Sequence, residues 1–507
     1  DYYSQITKED VIKFANKHFK TNNYVIVYKR QGALTDIAKI EKPEITEIIL
    51  NRDAESDFYK KIQANKPKDI APVFVDFQKE ITFNTYKGCP IYYVENTENQ
   101  IFNLTLRFTC GEMNNIKLPI VMGYFDYLGT AKYTPEQIKE MYYRYACSIS
   151  TRCSDDHSQI IISGLSENFA DALHLTMELL ANAQPDEKAL SNMIQDLLKS
   201  RTDAKSNQNA VLGALQAYGM YGAEMTKYIL TENQLKALTG TELIAIMKEL
   251  LQYKPEILYY GPDKMKTVFD VLNNEYKMYR TFSTPPAEKK IDLQLATENT
   301  VLFAPYKGPQ SRLVTYNRSV KFDTQLLPVV TLYNQYFGGS MNAIVFQEMR
   351  EKRSLAYTAR SSFVTPSEED DYMYNYSFIA TQNDKIVDAF MAFDELFNEI
   401  PQSELAFNLA KEAALNSIET NRISRRSLIN TYIQNKRMGF DHDYRADVYQ
   451  AIRNFTMPDI VKFNQDYIKN QPKYYLILSD ESEVSFENIE KQFGTVTKLS
   501  LEDIFGY

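Results

Sequence analysis

Two side chains stand out in the stretch YFGGSMNAIVFQEMREKRSLAYTARSSF, residues 336–363: Arg350 and Tyr357. A guanidinium and a phenol both donate hydrogen bonds, and the arginine stays charged at any working pH. The stretch holds no histidine, no cysteine and no recognisable nucleophile, so donation to a bound group is the chemistry open to it. The residues alone leave a plainer reading open. REKR also reads as a solvated helix C-terminus favoured by the helix dipole, and Tyr357 as an ordinary half-buried strand residue.

The elements around the pair must bring it together. Gly338 and Gly339 end the preceding helix, which a C′ glycine would explain. Ser340 is placed to cap the next helix, whose apolar stripe is Met341, Ile344, Val345 and Met349. After EKRS the pattern turns to period two, putting Leu355, Tyr357 and Ala359 on one strand face. Arg350 therefore closes a helix and Tyr357 opens a strand seven residues later, so the two can converge on one point.

Metal chemistry has weaker candidates. His174 and Glu178 lie one helical turn apart, but at the edge of an apolar stripe, where a histidine is ordinarily packed or solvated. His157 is close in sequence to Cys153, Asp155 and Asp156, yet the alternation that follows makes it the start of a strand. His18 and His442 stand alone in polar surroundings. The four cysteines, Cys89, Cys110, Cys147 and Cys153, are too few and too scattered for a disulfide framework or a zinc ribbon.

At 507 residues the chain exceeds one ordinary domain. Its net charge of −9 argues against nucleic acid as a partner. No apolar run is long enough for a membrane-spanning helix. The cell compartment stays open.

Three segments share one plan: TKEDVIKFANKHFKTNNYVIVYKR from Thr7, TGTELIAIMKELLQYKPEILYYGP from Thr239, and TMPDIVKFNQDYIKNQPKYYLILSD from Thr456. Each has a Thr N-cap candidate and an apolar residue four later (Val11, Leu243, Ile460), then breaks at Asn23, Pro255 or Pro472 before a β-rich run. The offset that carries Thr239 to Thr456 also carries Asp171-Ala172 to Asp388-Ala389 and Glu178-Leu179 to Glu395-Leu396. An ordered series at one offset implies duplication. The expected organisation is a tail of a truncated upstream domain at 1–30, a linker at 31–80, and two homologous domains at 81–280 and 290–507. Each domain is expected to be α+β, a mostly antiparallel sheet with helices packed on one face.

FGGSMNAIVFQEMREKRSLAYTARSSF, LRFTCGEMNN, LGTAKYTPEQI and SGLSENFADAL resemble segments of the insulinase/pitrilysin family, the inverted-zincin metallopeptidases. The resemblance covers nearly all of residues 81–507 and implies the second, non-catalytic half of such an enzyme. The family's H-x-x-E-H zinc motif would fall at Ile120, Gly123 and Tyr124, none of which can bind zinc or act as a base. Zinc is accordingly expected in a missing N-terminal half and no cofactor in this chain. Alone the chain would not be an enzyme; joined to that half it would be part of a zinc endopeptidase. Arg350 and Tyr357 match the family's substrate-binding arginine and tyrosine, and Gly338 and Gly339 would let a substrate backbone approach closely. The implied partners are a catalytic half, on the same polypeptide or as a separate subunit, and a peptide. A non-proteolytic scaffold or peptide-holding subunit of the same fold is the alternative.

Overall fold

The computed structural model describes residues 3–19, 24–30, 32, 54–65, 70–276, 282–287, 289–338 and 340–507. Two compact units are distinguished, residues 1–46 and 47–507.

In the first unit, α1 (Lys8–Phe19) begins at a reciprocal cap. The Thr7 hydroxyl accepts the Asp10 amide at 3.2 Å, and the Asp10 carboxylate accepts the Thr7 amide at 2.9 Å. The strand expected after it does not form: residues 24–28 carry no strand structure, and Tyr24, Val25, Ile26, Val27 and Tyr28 are all exposed. A lone extended run cannot satisfy its own N–H and C=O groups, and no described residue of this unit pairs with it. Of the expected linker, residues 31, 33–53 and 66–69 lie outside the described residues.

The second unit holds two six-stranded sheets. The first contains β1 (Thr82–Tyr86), β2 (Cys89–Glu95), β3 (Ile101–Phe108), β4 (Cys147–Cys153), β5 (Ser158–Leu165) and β6 (Glu256–Gly261), in the order β1-β2-β6-β3-β5-β4. The second contains β7 (Thr300–Pro305), β8 (Gln310–Lys321), β9 (Ala356–Val364), β10 (Tyr372–Gln382), β11 (Tyr474–Ser479) and β12 (Val496–Lys498), in the order β9-β10-β8-β11-β7-β12. Five strands follow one order in both. The sixth is added beside the opening strand, from the front of the first repeat and from the end of the second. Pairing is antiparallel except where the closing strand lies parallel to the opening one, β6 on β2 and β11 on β7, and where β12 joins β7.

The helices that build the layers are α2 (Leu118–Tyr124), α3 (Phe169–Asn182), α4 (Glu187–Lys205), α5 (Gln208–Tyr221) and α6 (Gly240–Leu250). Their second-repeat counterparts are α7 (Leu327–Phe337), α8 (Ile386–Asn398), α9 (Glu404–Thr420), α10 (Leu428–Arg437) and α11 (Met457–Tyr467). The starts of α3, α4 and α6 (Phe169, Glu187, Gly240) recur at Ile386, Glu404 and Met457, all at the offset read from the sequence. The starts of α2 and β3 (Leu118, Ile101) recur at Leu327 and Gln310, a shorter offset. The start of β4 (Cys147) still recurs at the shorter offset, at Ala356 of β9, so the added residues fall after it, in β9, the turn that follows and β10. The closing helix–strand units start at threonine caps: Thr239 accepts the Glu242 amide at 3.2 Å, and the Thr456 amide donates to the Asp459 carboxylate at 2.7 Å. They end in central strands, which explains their unbroken apolar runs.

Each sheet packs its own helices on one face. Leu104 and Ile162 of the first sheet meet Val121, Leu173 and Leu243, and Leu313 and Ile477 of the second meet Val330, Phe390 and Ile460. The opposite faces are not bare, as helices on one face alone would leave them. Val211, Leu212 and Leu215 of α5 cover Leu302, Val314 and Leu476 of the second sheet; Leu428 and Ile429 of α10 cover Tyr92, Val94, Leu258 and Tyr260 of the first. Val211 and Leu212 map onto Leu428 and Ile429 at the repeat offset, so the repeats exchange equivalent helices. Central strands with apolar residues on both faces require such a cover, since an exposed face would be a large apolar patch.

Candidate functional site

The connection from α7 to β9 is irregular at four successive points. At the first, Gly338, φ is −136°, so the glycine is not serving a left-handed C′ position. It is required for another reason: a Cβ there would overlap the Ser361 carbonyl oxygen and lie 2.9 Å from the Ser361 nitrogen. The backbone that approaches Gly338 closely is the chain's own β9. One turn earlier, Asn334 donates to the Phe363 carbonyl at 2.9 Å and accepts its amide at 2.7 Å, fastening the end of α7 to that strand. Gly339 lies outside the described residues.

The next helix begins at Ile344 with Ala343 as its N-cap, so Ser340 does not cap it; Ser340 offers only its carbonyl, to the Ala343 amide at 3.0 Å. Met341 lies ahead of the helix and is 71% exposed, while Ile344, Val345 and Met349 are buried as the stripe requires. At the second point the helix widens into a π-turn over Gln347–Lys352, which contains Arg350. Ser354 follows with φ +49°, a left-handed conformation that non-glycine residues rarely adopt. Finally the register of β9 on β10 shifts between Ala356 and Thr358, a β-bulge with Tyr357 at its centre. The bulge corrects the expected alternation: Leu355, Ala356 and Ala359 pack on the second core, and Tyr357 is turned out, 76% exposed.

These irregularities bring the two candidate donors together. The Arg350 guanidinium carbon sits 4.3 Å from the centre of the Tyr357 ring and 4.8 Å from that of Phe346. Stacking between two rings holds the guanidinium plane while its N–H edges stay available. Its ion pair is a 3.3 Å contact from Nε to the adjacent Glu351. The neighbouring charges are occupied elsewhere: Lys352 and Arg353 face the buried Glu348 at 3.4 and 3.6 Å, and Arg353 also binds Glu395 at 2.8 Å.

The first repeat makes the same connection without the π-turn or the bulge. Its helix Pro135–Arg144 is regular and opens on a capping box between Thr134 and Gln137. Ala146 takes the left-handed conformation at φ +48°, and β4 then pairs with β5 in unbroken register. Counting from Ala146 as from Ser354, Tyr142 and Ile149 replace Arg350 and Tyr357. Tyr142 is buried and bonded to Thr176 at 2.7 Å. The fold thus does not need the π-turn or the bulge.

The positions at which the resemblance would put the zinc motif fit no metal. Ile120 packs against the first core. Gly123 offers no side chain, and the Tyr124 hydroxyl is committed, accepting the Asp186 amide at 2.7 Å and donating to the Asp186 carbonyl at 3.0 Å. That phenol clamps the start of α4. Tyr336 clamps α9 in the same way, donating to the Pro401 carbonyl at 2.5 Å and accepting the Ser403 amide at 3.2 Å. His174 bonds Glu275 at 2.7 Å while Glu178 faces Lys132 at 3.4 Å, so they do not converge. His442 lies between Asp441 and Asp447, and hydrogen bonds to both raise its pKa. In the first unit, His18 lies against the Phe14 ring. Among the described residues, no three or more His, Cys, Asp or Glu side chains gather as a metal site.

His157 belongs to a seam that the sequence did not reveal. Its Nδ1 lies 2.7 Å from Asp156, which also meets Arg437 of α10 at 2.8 Å and Arg107 of β3 at 3.6 Å; Arg107 binds Glu256 at 2.6 Å. Burial opposes the Asp156 charge, but the His157 hydrogen bond and the two arginines outweigh it, holding its pKa at about 2. No local signal in the sequence marked the π-turn around Arg350 or this seam.

Residues 262–413 match the family model described as the peptidase M16 inactive domain. No curated protein matches the chain in sequence. Among solved structures, the peptidase M16 inactive domain from Pseudomonas fluorescens aligns with a TM-score of 0.63 at 15% identity, covering 79% of this chain and 98% of its own. The periplasmic protease PqqL from Escherichia coli aligns at 0.59 and 13% identity, covering 94% of this chain and 51% of its own. A mutant of the ferredoxin protease FusC, in complex with Arabidopsis ferredoxin, aligns at 0.63 and 13% identity with the same two shares. The chain therefore spans about half the length of these two proteases. Residues 262–413 are thus similar to the peptidase M16 inactive domain, in line with the family resemblance read from the sequence, and the chain around them shares the fold of these solved structures.

Proposed function

We propose that this chain is the non-catalytic half of a zinc endopeptidase and that Arg350 and Tyr357 are its contribution to the reaction. One observation carries the reading: the arginine stacked on an exposed tyrosine, held by a π-turn, a left-handed serine and a bulge, of which the first repeat keeps only the left-handed residue. Irregular backbone that a sister domain does without is a mark of function rather than folding. The likeness to two proteases of about twice the aligned length supports the same reading.

When water attacks a peptide carbonyl, negative charge grows on its oxygen and is stabilised by donors placed in advance. The Arg350 N–H groups and the Tyr357 O–H are such donors. Zinc and the base that serve the attack belong to the other half, since Ile120, Gly123 and Tyr124 supply neither. The donors meet the substrate only when the halves close on it, which couples closure to turnover.

The test is reconstitution with the catalytic half. Tyr357→Phe keeps the ring and its stacking and removes one donor, so kcat should fall roughly tenfold to a thousandfold. Arg350→Ala should weaken peptide binding as well as turnover. Full activity of both variants would return the pair to the plainer reading of surface and packing residues.

A further inference from the structure

β9 is the edge strand of its sheet, so one side of its main chain has no neighbouring strand. Successive residues of a strand turn their N–H and C=O groups to alternate sides. At Phe363 both groups go to the Asn334 side chain, which fixes the parity: residues 363, 361 and 359 face away from β10. Two of these positions are closed, Phe363 by Asn334 and Ser361 by the approach of Gly338. Ala359 is the next, and none of the described turn, loop or side-chain hydrogen bonds uses its amide or carbonyl. It lies two residues beyond Tyr357, at the foot of the Arg350 stack.

The two faces of this edge are both cationic. Arg350 stands on the side of the second core, over Phe346 and Tyr357. Arg360 is exposed on the other side, 5.1 Å from the Phe378 ring, and has no acidic partner among the described residues. A strand added here would direct alternate side chains to these two faces.

The geometry points to the edge of β9 at Ala359 as a docking strand for an extended peptide with acidic side chains. Ala359 exchanges main-chain hydrogen bonds with the peptide, and Arg360 reads a carboxylate on the face opposite Arg350. This rests on the proposed peptide-binding role and adds how the peptide backbone is held and which side chains are preferred. A Pro at an outward-facing edge position removes the donor without breaking the sheet, because that N–H is not part of the ladder.

The experiment uses the full chain and an end-blocked, fluorescein-labelled peptide of alternating Glu and Val, read by anisotropy and by amide exchange. Binding should protect the Ala359 amide. Ala359→Pro should weaken binding about threefold to tenfold, the worth of one main-chain hydrogen bond. N-methylation of alternate peptide nitrogens should abolish binding for one parity only, an arm that leaves the protein unaltered and stands even if the proline variant misfolds. Arg360→Gln should erase the preference for the Glu peptide over its Gln analogue. Absence of binding, or indifference to both Ala359→Pro and N-methylation, overturns the docking strand. The proposed function is judged separately, by turnover after reconstitution with the catalytic half: it survives loss of the docking strand if Arg350→Ala and Tyr357→Phe still lower turnover, and falls if both variants keep full activity.

Discussion

Replacing Gly338 with alanine tests why the glycine pair is there. If Gly338 exists to admit a substrate backbone, Gly338→Ala should impair peptide binding and leave folding alone. The structure requires the opposite order of effects. The new Cβ would overlap the Ser361 carbonyl oxygen, well inside the 3.0 Å that real Cβ contacts do not cross. Because the obstacle is backbone, no side chain can swing aside, and β9 or the end of α7 must retreat by roughly an ångström. Overpacking of this kind costs about 1–3 kcal/mol, and the Asn334 bonds to Phe363 would be stretched as well. A loss of that size lowers the melting temperature by about 2–4 °C per kcal/mol in a domain of some two hundred residues. The retreating strand carries Tyr357, so activity of the reconstituted enzyme should fall with stability. Thermal melting followed by circular dichroism, beside a peptide-cleavage assay, makes the comparison. An unchanged melting temperature with a raised KM would refute the packing argument and restore the substrate-approach reading.

Acid should loosen the seam between the repeats. The Asp156 pKa is lowered from 3.8 to about 2, so its contribution is complete above pH 4 and is lost as pH falls through 2, about 2 kcal/mol in all. Denaturant melts of the wild type and Asp156→Asn between pH 2 and 6 should converge at the acid end, and parallel curves would remove Asp156 from the seam. Tyr124→Phe removes the two hydrogen bonds that clamp Asp186 at the start of α4, a cost of about 0.5–1.5 kcal/mol for each bond in urea unfolding with no effect on peptide binding. A neutral result would mean that water takes over the phenol's bonds.

The sequence by itself carried what is set locally or by periodicity. The threonine caps, the closing helix–strand units and the duplication are written into short segments, and α6 and α11 do keep the spacing of Thr239 and Thr456. The spacing of Arg350 and Tyr357 across a helix–strand junction was enough to anticipate that they meet. The strand expected at residues 24–28 failed because a strand is completed only by a neighbour. Other features depend on which backbone passes close by in space. Gly338 is explained by Ser361, and Met341 is exposed because its helix starts later than the stripe suggested. Tyr357 leaves the face of Leu355 and Ala359 because one unpaired residue breaks the period of two. The exchange of α5 and α10 between sheets, and the meeting of Arg107 and Asp156 with Arg437, join residues of different repeats. Local propensity cannot encode such contacts, since they exist only once both sheets have formed and each presents a second apolar face to cover.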